Sequence, residues 1–143
     1  MLPLRKVVNK LTRMTGNNIL LDTNIISAWL KGESGIADKL DQTDGVYIPA
    51  IVAGELHYGA QYSTHVERNI QSINRVIARY EVLQVGVATA AVYGTLKAAL
   101  KKKGKPIPEN DIWIAAIATQ YSLPLITRDK HFNEIDSLTI ITW

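Results

Sequence analysis

The sequence predicts an α/β fold built on a parallel β-sheet. Short apolar runs alternate along the chain with longer segments that have the periodicity of helices. The apolar runs lack the strict polar alternation of half-exposed strands, which favours burial on both faces, as in a parallel sheet. The strand–helix–strand order then favours right-handed crossovers, with the helices packed against the sheet.

The individual elements follow from these two patterns. Predicted strands are the short runs rich in Ile, Leu and Val at 19–21, 46–48, 82–85, 125–127 and 138–142. Predicted helices are the segments with helical spacing at 24–30, 36–40, 50–61, 66–79, 88–102 and 112–121. Gly104, Pro106 and Pro108 are expected to end the fifth helix and introduce the sixth.

The composition indicates one globular domain. The chain has 143 residues, of which 47% are hydrophobic and 20% charged, values that exclude wholesale disorder. It contains no cysteine, which excludes a disulfide framework, cysteine-ligated zinc and a thiol nucleophile. No apolar run approaches the ~20 residues of a membrane span, and the N-terminus lacks the pattern of a secretory signal. We therefore expect a cytoplasmic protein without a membrane partner.

The positive charge is concentrated at the N-terminus. The first 13 residues contain four basic side chains and no acidic one: Arg5, Lys6, Lys10 and Arg13. Without them, 12 basic residues face 13 acidic ones, a net charge of −1. We interpret residues 1–13 as a basic extension to a domain spanning residues 14–143. It is either a short amphipathic arm or a product of start-codon misassignment, because Met14 is itself a potential start.

Two aspartates follow predicted strands. Asp22 comes directly after Ile19-Leu20-Leu21, and Asp129 follows the run that begins at Leu125. Ligands of parallel α/β folds bind beyond the carboxyl ends of the strands, so we expect both carboxylates at one edge of the sheet. Each also has a purely structural alternative, since Asp22 could cap the next helix and Asp129 could stabilise a turn.

Two further acids lie on predicted helices that could bring them to the same edge. Asp111 opens the apolar segment 112–117, where it could also simply favour a helix N-terminus. Glu55 is predicted to project from an apolar face formed by Ile51, Val52, Tyr58 and Gly59. A glutamate in such a face must be paired, protonated or bound to a cation.

A cluster of these four acids would require compensation. Two carboxylates ~4 Å apart repel by about 4 kcal/mol at an effective dielectric of 20, so the cluster needs raised pKa values or a bound cation. Ligand sets made only of oxygen select hard divalent ions such as Mg²⁺ or Mn²⁺. Bound near a phosphate, such an ion supports hydrolysis of a phosphodiester bond.

Four segments, taken in order, resemble the PIN-domain ribonucleases, and specifically the VapC-type toxins of bacterial type II toxin–antitoxin pairs. The resembling segments are Ile19–Ile25, Ile51–Ala60, Asn110–Ala116 and Leu125–Asp129. The similarity extends over nearly all of residues 17–143, and the tail from His131 to Trp143 also resembles the end of the family's sequences. Each motif alone is weak evidence for the family, whereas four motifs in order and with family-like spacing are strong evidence together.

The resemblance implies a five-stranded parallel sheet between helices, a Mg²⁺ or Mn²⁺ site, and endonuclease activity on RNA, a transfer RNA among the alternatives. It also implies a homodimer inhibited by a cognate antitoxin protein. All four acids of the family motif are matched here. The implied catalytic and metal-binding residues are Asp22, Glu55, Asp111 and Asp129. Thr127 matches a supporting hydroxyl, and Asn24 and Asn110 are further candidates for support of the site or contact with substrate.

The basic residues near the predicted acidic edge are candidate RNA contacts. Four lysines precede the turn that leads to Asp111, and Arg128 adjoins Asp129; the lysines are Lys101, Lys102, Lys103 and Lys105. Such residues could contact the phosphate backbone. The structural alternative is a solvated helix C-terminus, where lysines suit the helix dipole.

Other chemistries fit the sequence less well. There is no nucleophile-elbow motif, no P-loop and no histidine spacing typical of zinc sites. The three histidines are therefore interpreted as surface or packing residues. The remaining alternative is a non-catalytic RNA-binding or protein-interaction module, which would gain nothing from four uncompensated acids.

Overall fold

The computed structural model describes residues 17–143. This described part does not include the predicted basic extension at residues 1–13 or the first residues of the predicted domain. The boundary between the extension and the domain therefore remains a prediction.

The described residues form a five-stranded sheet in which every pair of neighbouring strands is parallel. The strands are β1 (Asn18–Leu21), β2 (Gly45–Pro49), β3 (Glu81–Leu83), β4 (Leu125–Ile126) and β5 (Ile140–Ile141). Their spatial order is β3-β2-β1-β4-β5. The predicted parallel α/β fold is therefore confirmed, with β1 at the centre of the sheet.

Six α-helices and one short 3₁₀ helix connect the strands within residues 17–143. The α-helices are α1 (Thr23–Leu30), α2 (Ile36–Asp41), α3 (Ala50–Gln61), α4 (Val66–Arg79), α5 (Val87–Lys103) and α6 (Glu109–Tyr121). The 3₁₀ helix spans Lys130–Glu134, between β4 and β5. No helix in the described range is long and apolar enough to cross a membrane.

The central strands are buried on both faces, as the apolar runs predicted. Fully buried side chains from three of them are Leu20, Leu21, Ile48, Leu125 and Ile126. Burial of a Leu or Ile side chain contributes roughly 1.5–3 kcal/mol, so these strands anchor the molecule.

The largest deviations from the predicted elements occur at the sheet edges and at α6. The edge strands β3 and β5 are shorter than expected, and Val85, predicted to be in a strand, is 43% exposed. Helix α6 begins at Glu109, three residues before the predicted start at 112, because Pro108 serves as its N-cap. Asp111 therefore lies within the first turn of α6 rather than before it.

The pairing of β1 with β4 creates the position of the functional site. Leu21 is in register with Ile126, so Asp22 and Thr127 leave the sheet side by side. The chain continues this alignment through a 3.0 Å hydrogen bond from the Asp22 backbone N–H to the Ile126 carbonyl oxygen. Because both strands run in the same direction, the residues that follow them meet at one edge.

Candidate active site

Asp22 is the buried centre of the polar cluster at this edge. It is 4% exposed and is the N-cap of α1, with Oδ1 accepting a 2.8 Å hydrogen bond from the Thr23 backbone N–H. Its other oxygen, Oδ2, accepts a 2.6 Å hydrogen bond from Thr127 Oγ1. The capping role and the place in the acidic cluster are thus compatible, since each uses a different carboxylate oxygen.

Asn24 and Thr127 link the two strand ends. Asn24 Nδ2 donates to Asp22 Oδ2 at 3.3 Å and lies 3.4 Å from Thr127 Oγ1. Its side-chain oxygen accepts from the Arg128 backbone N–H at 3.2 Å. The Thr127 hydroxyl also accepts from the Asp129 backbone N–H at 3.0 Å. The predicted supporting positions of Asn24 and Thr127 therefore lie in direct contact with Asp22.

Glu55 reaches the cluster, but the reason given by the sequence pattern is wrong. The buried stripe of α3 consists of Val52, Leu56 and Ala60, whereas Tyr58 is 70% exposed. Glu55 is only half-buried. It lies at the margin of α3, on the side that faces the strand ends. The simple helical projection placed Tyr58 and Gly59 in a buried face because apolar character alone does not distinguish a surface tyrosine from a core residue.

Two hydrogen bonds orient the Glu55 carboxylate. Oε1 accepts from the Thr23 hydroxyl, and Oε2 accepts from Asn110 Nδ2 at 3.3 Å. Asn110 precedes Asp111 in the first turn of α6, so the contact connects α3 to that turn. The structure thus brings Asn110, the third predicted supporting residue, to the cluster as well.

Asp111 is the most perturbed acid of the cluster. It is 8% exposed, and its Oδ2 atom is buried without a hydrogen-bond partner. Burial, followed by the charges of Asp129 and Asp22, raises the pKa of Asp111 to about 7. Burial is also the main cause that raises the pKa of Asp22, and it outweighs the hydrogen bonds from Thr127 and Thr23. Both shifts follow from removing a carboxylate from water near other negative charges.

Asp129 is held by the residue two positions after it. Asp129 Oδ1 accepts a 2.9 Å hydrogen bond from the His131 backbone N–H, and His131 Nδ1 lies 2.9 Å from the same oxygen. Burial opposes ionisation of Asp129, but the contacts from His131 prevail and lower its pKa. Two neighbouring acids therefore have pKa values shifted in opposite directions.

All four predicted acids line one open cleft of about 460 Å³. Two basic side chains, Lys31 and Arg128, line it as well. At its edge, Asp111, Asp129 and His131 present ligand atoms that all lie within 4.8 Å of one another. This acidic cluster could hold a metal ion.

The predicted RNA-contacting residues are not equally available. The Arg128 guanidinium forms a double hydrogen bond with Glu33, and its Nε donates to the Trp143 carbonyl oxygen at 2.8 Å. Lys103 Nζ donates to the Glu134 carbonyl oxygen at 2.7 Å and to Asp136 at 3.0 Å. These internal contacts occupy both side chains.

The other lysines of the run lie in different places. Lys101 and Lys102 are exposed in the last turn of α5. Lys105 lies beyond the helix and lines a pocket shared with Asp129, Lys130 and His131. Lys105 is thus the member of the run that borders the acidic cluster, and the RNA-binding role of the whole run remains a prediction.

Sequence reasoning missed three residues of the site: Thr23, Lys31 and His131. Thr23 could have been found from its position between Asp22 and Asn24. His131 was interpreted as a surface or packing residue, although its place two residues after a strand-end aspartate allows its backbone N–H to donate to the capping side chain of Asp129. Lys31 had no signal in the sequence, since it reaches the cleft only through the end of α1.

Comparisons with known proteins agree with this geometry. The family described as PIN domain matches residues 19–138. Ribonuclease VapC2 of Haemophilus influenzae is 36% identical over 127 residues, which cover 87% of this chain and 96% of the relative. The tRNA(fMet)-specific endonuclease VapC of Salmonella typhimurium is 32% identical over the same shares of both chains.

A solved structure extends the similarity to three dimensions. The chain from DNA-bound VapBC of Salmonella typhimurium superimposes with a TM-score of 0.83 and 31% identity, covering 89% of this chain and 98% of that chain. The chain belongs to the PIN-domain family, among its VapC ribonucleases.

Proposed function

We propose that this protein is the toxin of a toxin–antitoxin pair and that it hydrolyses RNA as a metal-dependent endoribonuclease. The observation that carries the proposal is the convergence of Asp22, Glu55, Asp111 and Asp129 on one open cleft. The identity to ribonucleases named VapC, over most of both chains, supports the same activity. We assign the catalytic role to these four acids.

The ion that we propose for this cleft is Mg²⁺ or Mn²⁺. Asp22 and Asp111 are proposed as its main anchors, directly or through water, with Glu55 and Asp129 completing the negative pocket. The donor set fits a hard cation, because Asp111 Oδ2 is buried without a hydrogen-bond partner and the carboxylates of the other three predicted acids line the same cleft. When bound, the ion polarises the scissile phosphate and lowers the pKa of the attacking water.

The supporting residues prepare the carboxylates for this role. Thr127 and Asn24 both donate to Asp22 Oδ2, which fixes the orientation of that carboxylate. Thr23 and Asn110 hold the two oxygens of Glu55, so that the carboxylate is held at the cleft to orient a water molecule. Donors placed on a rigid sheet edge avoid reorganisation during the reaction.

The substrate that we propose is RNA, with a transfer RNA as the first class to test. One relative with 32% identity carries the name tRNA(fMet)-specific endonuclease. An acidic cleft needs nearby positive charge to receive a polyanion. Lys31 lines the cleft and Lys105 borders it, so we assign them the first phosphate contacts.

The partners that we propose are a cognate antitoxin protein and a second copy of this chain. The structural relative from Salmonella typhimurium is titled as a DNA-bound VapBC complex, which supports a protein partner for this chain as well. The proposed location is the cytoplasm, where RNA and an antitoxin would both be accessible.

Cleavage of bulk RNA by the purified protein tests this function. We expect fragments to appear when Mg²⁺ or Mn²⁺ is present in excess over its Kd and not with EDTA. Addition of the antitoxin should suppress cleavage. RNA that is bound but never cleaved, at any metal concentration, would instead favour the non-catalytic binding module.

A further inference from the structure

We propose that His131 is a nitrogen ligand of the metal ion, alongside Asp111 and Asp129, and that it makes this chain bind Mn²⁺ in preference to Mg²⁺. The inference rests on the proposed metal-dependent function and specifies one ligand of the same site. It assigns a direct role to a side chain that the carboxylate motif does not include.

The separations among the three side chains suit a shared ion. His131 Nδ1 lies 2.9 Å from Asp129 Oδ1 and 3.5 Å from Asp111 Oδ2. Adjacent ligands of an octahedral ion with bonds of 2.0–2.1 Å are about 3 Å apart. The contact between His131 and Asp129 thus has the spacing of neighbouring ligands, and the contact with Asp111 is about 0.6 Å longer. The ligand atoms of all three side chains lie within 4.8 Å of one another, so side-chain movements could bring them around one ion.

The local backbone holds the imidazole in this place. The His131 backbone N–H donates to Asp129 Oδ1 at 2.9 Å, which caps the 3₁₀ helix Lys130–Glu134. The next residue, Phe132, is fully buried and anchors the same turn in the core. His131 is thus fixed at its backbone while its side chain, 54% exposed, stands at the open side of the cluster.

The burial of Asp111 provides a second observation that favours a cation at this cluster. Its Oδ2 atom is buried and accepts no hydrogen bond, although a buried carboxylate oxygen without a partner is costly. The positions facing this oxygen belong to Asp129 and His131. A cation held by all three side chains would satisfy it.

The identity of the ligand atom predicts the preference for the metal. Mg²⁺ is bound mainly through oxygen ligands and water. Imidazole nitrogen favours transition metals, and within that series the affinity rises from Mn²⁺ onward. A site with two carboxylates and one imidazole therefore favours Mn²⁺ over Mg²⁺ more than a site made only of carboxylates does.

The alternative is that Nδ1 of His131 carries a hydrogen and only donates a hydrogen bond to Asp129. In that case it would position the carboxylate without contacting the ion. Electron spin-echo envelope modulation distinguishes the two roles. A coordinated imidazole nitrogen couples to the unpaired electrons of Mn²⁺. A nitrogen outside the coordination sphere couples to them far more weakly.

The experiment uses the full chain loaded with Mn²⁺. We expect ¹⁴N modulation in the unlabelled protein and its replacement by a ¹⁵N pattern in protein made with ¹⁵N-histidine. The modulation should disappear in His131→Ala and persist in His65→Ala, whose histidine is exposed and outside the site. Bound Mn²⁺ without nitrogen coupling would overturn the inference and leave the proposed function intact. Absence of any Mn²⁺ binding would overturn both.

Calorimetric titration gives a second readout that is independent of catalysis. His131→Ala should weaken Mn²⁺ binding at least about tenfold. Substitution of residues that only support the direct ligands already lowers metal affinity by about this factor or more. The loss for Mg²⁺ should be smaller, so that the affinity for Mn²⁺ relative to Mg²⁺ falls. Equal losses for both ions, or none, would contradict the proposed preference.

Discussion

The hydroxyl of Thr127 donates a 2.6 Å hydrogen bond to Oδ2 of Asp22, joining two residues that are 105 positions apart in the chain. The pair is possible because Leu21 and Ile126 are in register in neighbouring parallel strands. The orientation of the central carboxylate is therefore set by the pairing of β1 with β4. Any change that removes the hydroxyl should disturb the orientation of this carboxylate while the pairing of β1 with β4 is kept.

Thr127→Val should lower RNA cleavage and destabilise the fold, because it leaves a buried carboxylate oxygen with one fewer donor. We expect the free energy of unfolding to fall by about 1–3 kcal/mol, as measured by urea denaturation. Thr127→Ser keeps the hydroxyl and is the matched control. Equal losses in both variants would show that packing of the methyl group, rather than the hydrogen bond, is responsible.

Stability of the metal-free protein should decrease as the pH rises from about 4 to 7. The pKa of Asp111 is raised from 3.8 to about 7 in the folded protein, so in this interval the folded state holds a proton that the unfolded chain has released. The contribution of Asp111 to the free energy of unfolding is then highest below pH 4, falls through the interval and levels off above pH 7. The raised pKa of Asp22 acts in the same direction.

Thermal melts in EDTA across this pH range measure the effect. Asp111→Asn cannot lose a proton and should reduce the slope of Tm against pH. The exposed acid Asp44 provides the control, since Asp44→Asn should leave the slope unchanged. A wild-type slope in Asp111→Asn would mean that other groups cause the dependence.

Addition of Mn²⁺ or Mg²⁺ should raise the Tm, because the ion binds the folded protein alone. At ten times the Kd, the stabilisation is about 1.4 kcal/mol. Asp22→Asn and Asp111→Asn should both diminish the shift, whereas Asp44→Asn should preserve it. Differential scanning fluorimetry at millimolar metal checks this, and an unchanged melting curve for the wild-type protein would count against the metal site.

Neutralising Lys105 should weaken RNA binding and reduce its salt dependence, since this residue borders the acidic cluster. Each lost contact with single-stranded phosphate reduces the log–log salt slope by about 0.7. The measurement is RNA affinity across a salt series in an Asp22→Asn background. Lys101→Gln is the matched control, because Lys101 belongs to the same lysine run but lies in the last turn of α5 and not among the residues that line the pocket of Lys105. Identical slopes for Lys105→Gln and its parent would exclude Lys105 as a phosphate contact.

The sequence predicted the parts of the fold that are determined locally or by deep burial. Helices α3 and α4 have the predicted bounds, 50–61 and 66–79. Their ends were predictable because the helical spacing of residues changes clearly there. The edge strand β5 was predicted as 138–142 but spans only Ile140–Ile141, since its length depends on the two residues of β4 available for pairing. Pairing partners are not visible in local periodicity.

The same distinction applies to the site. The position of Asp22 and Asp129 at one edge of the sheet was predictable, because the carboxyl ends of parallel strands meet at a common edge. The link from Glu55 to Thr23 was not predictable, since it depends on how α3 packs beside α1. The contact of His131 with Asp111 likewise joins two elements whose relative placement exists only in the folded protein.

Comparison of the wild-type protein with Asp22→Asn tests whether these carboxylates perform metal-dependent RNA hydrolysis. The substitution keeps the side-chain shape and an oxygen that can accept from Thr127, so circular dichroism should show an unchanged fold. We predict that cleavage of RNA in Mg²⁺ or Mn²⁺ is lost in Asp22→Asn and retained in Asp44→Asn. Near-wild-type cleavage by a folded Asp22→Asn variant would contradict the account.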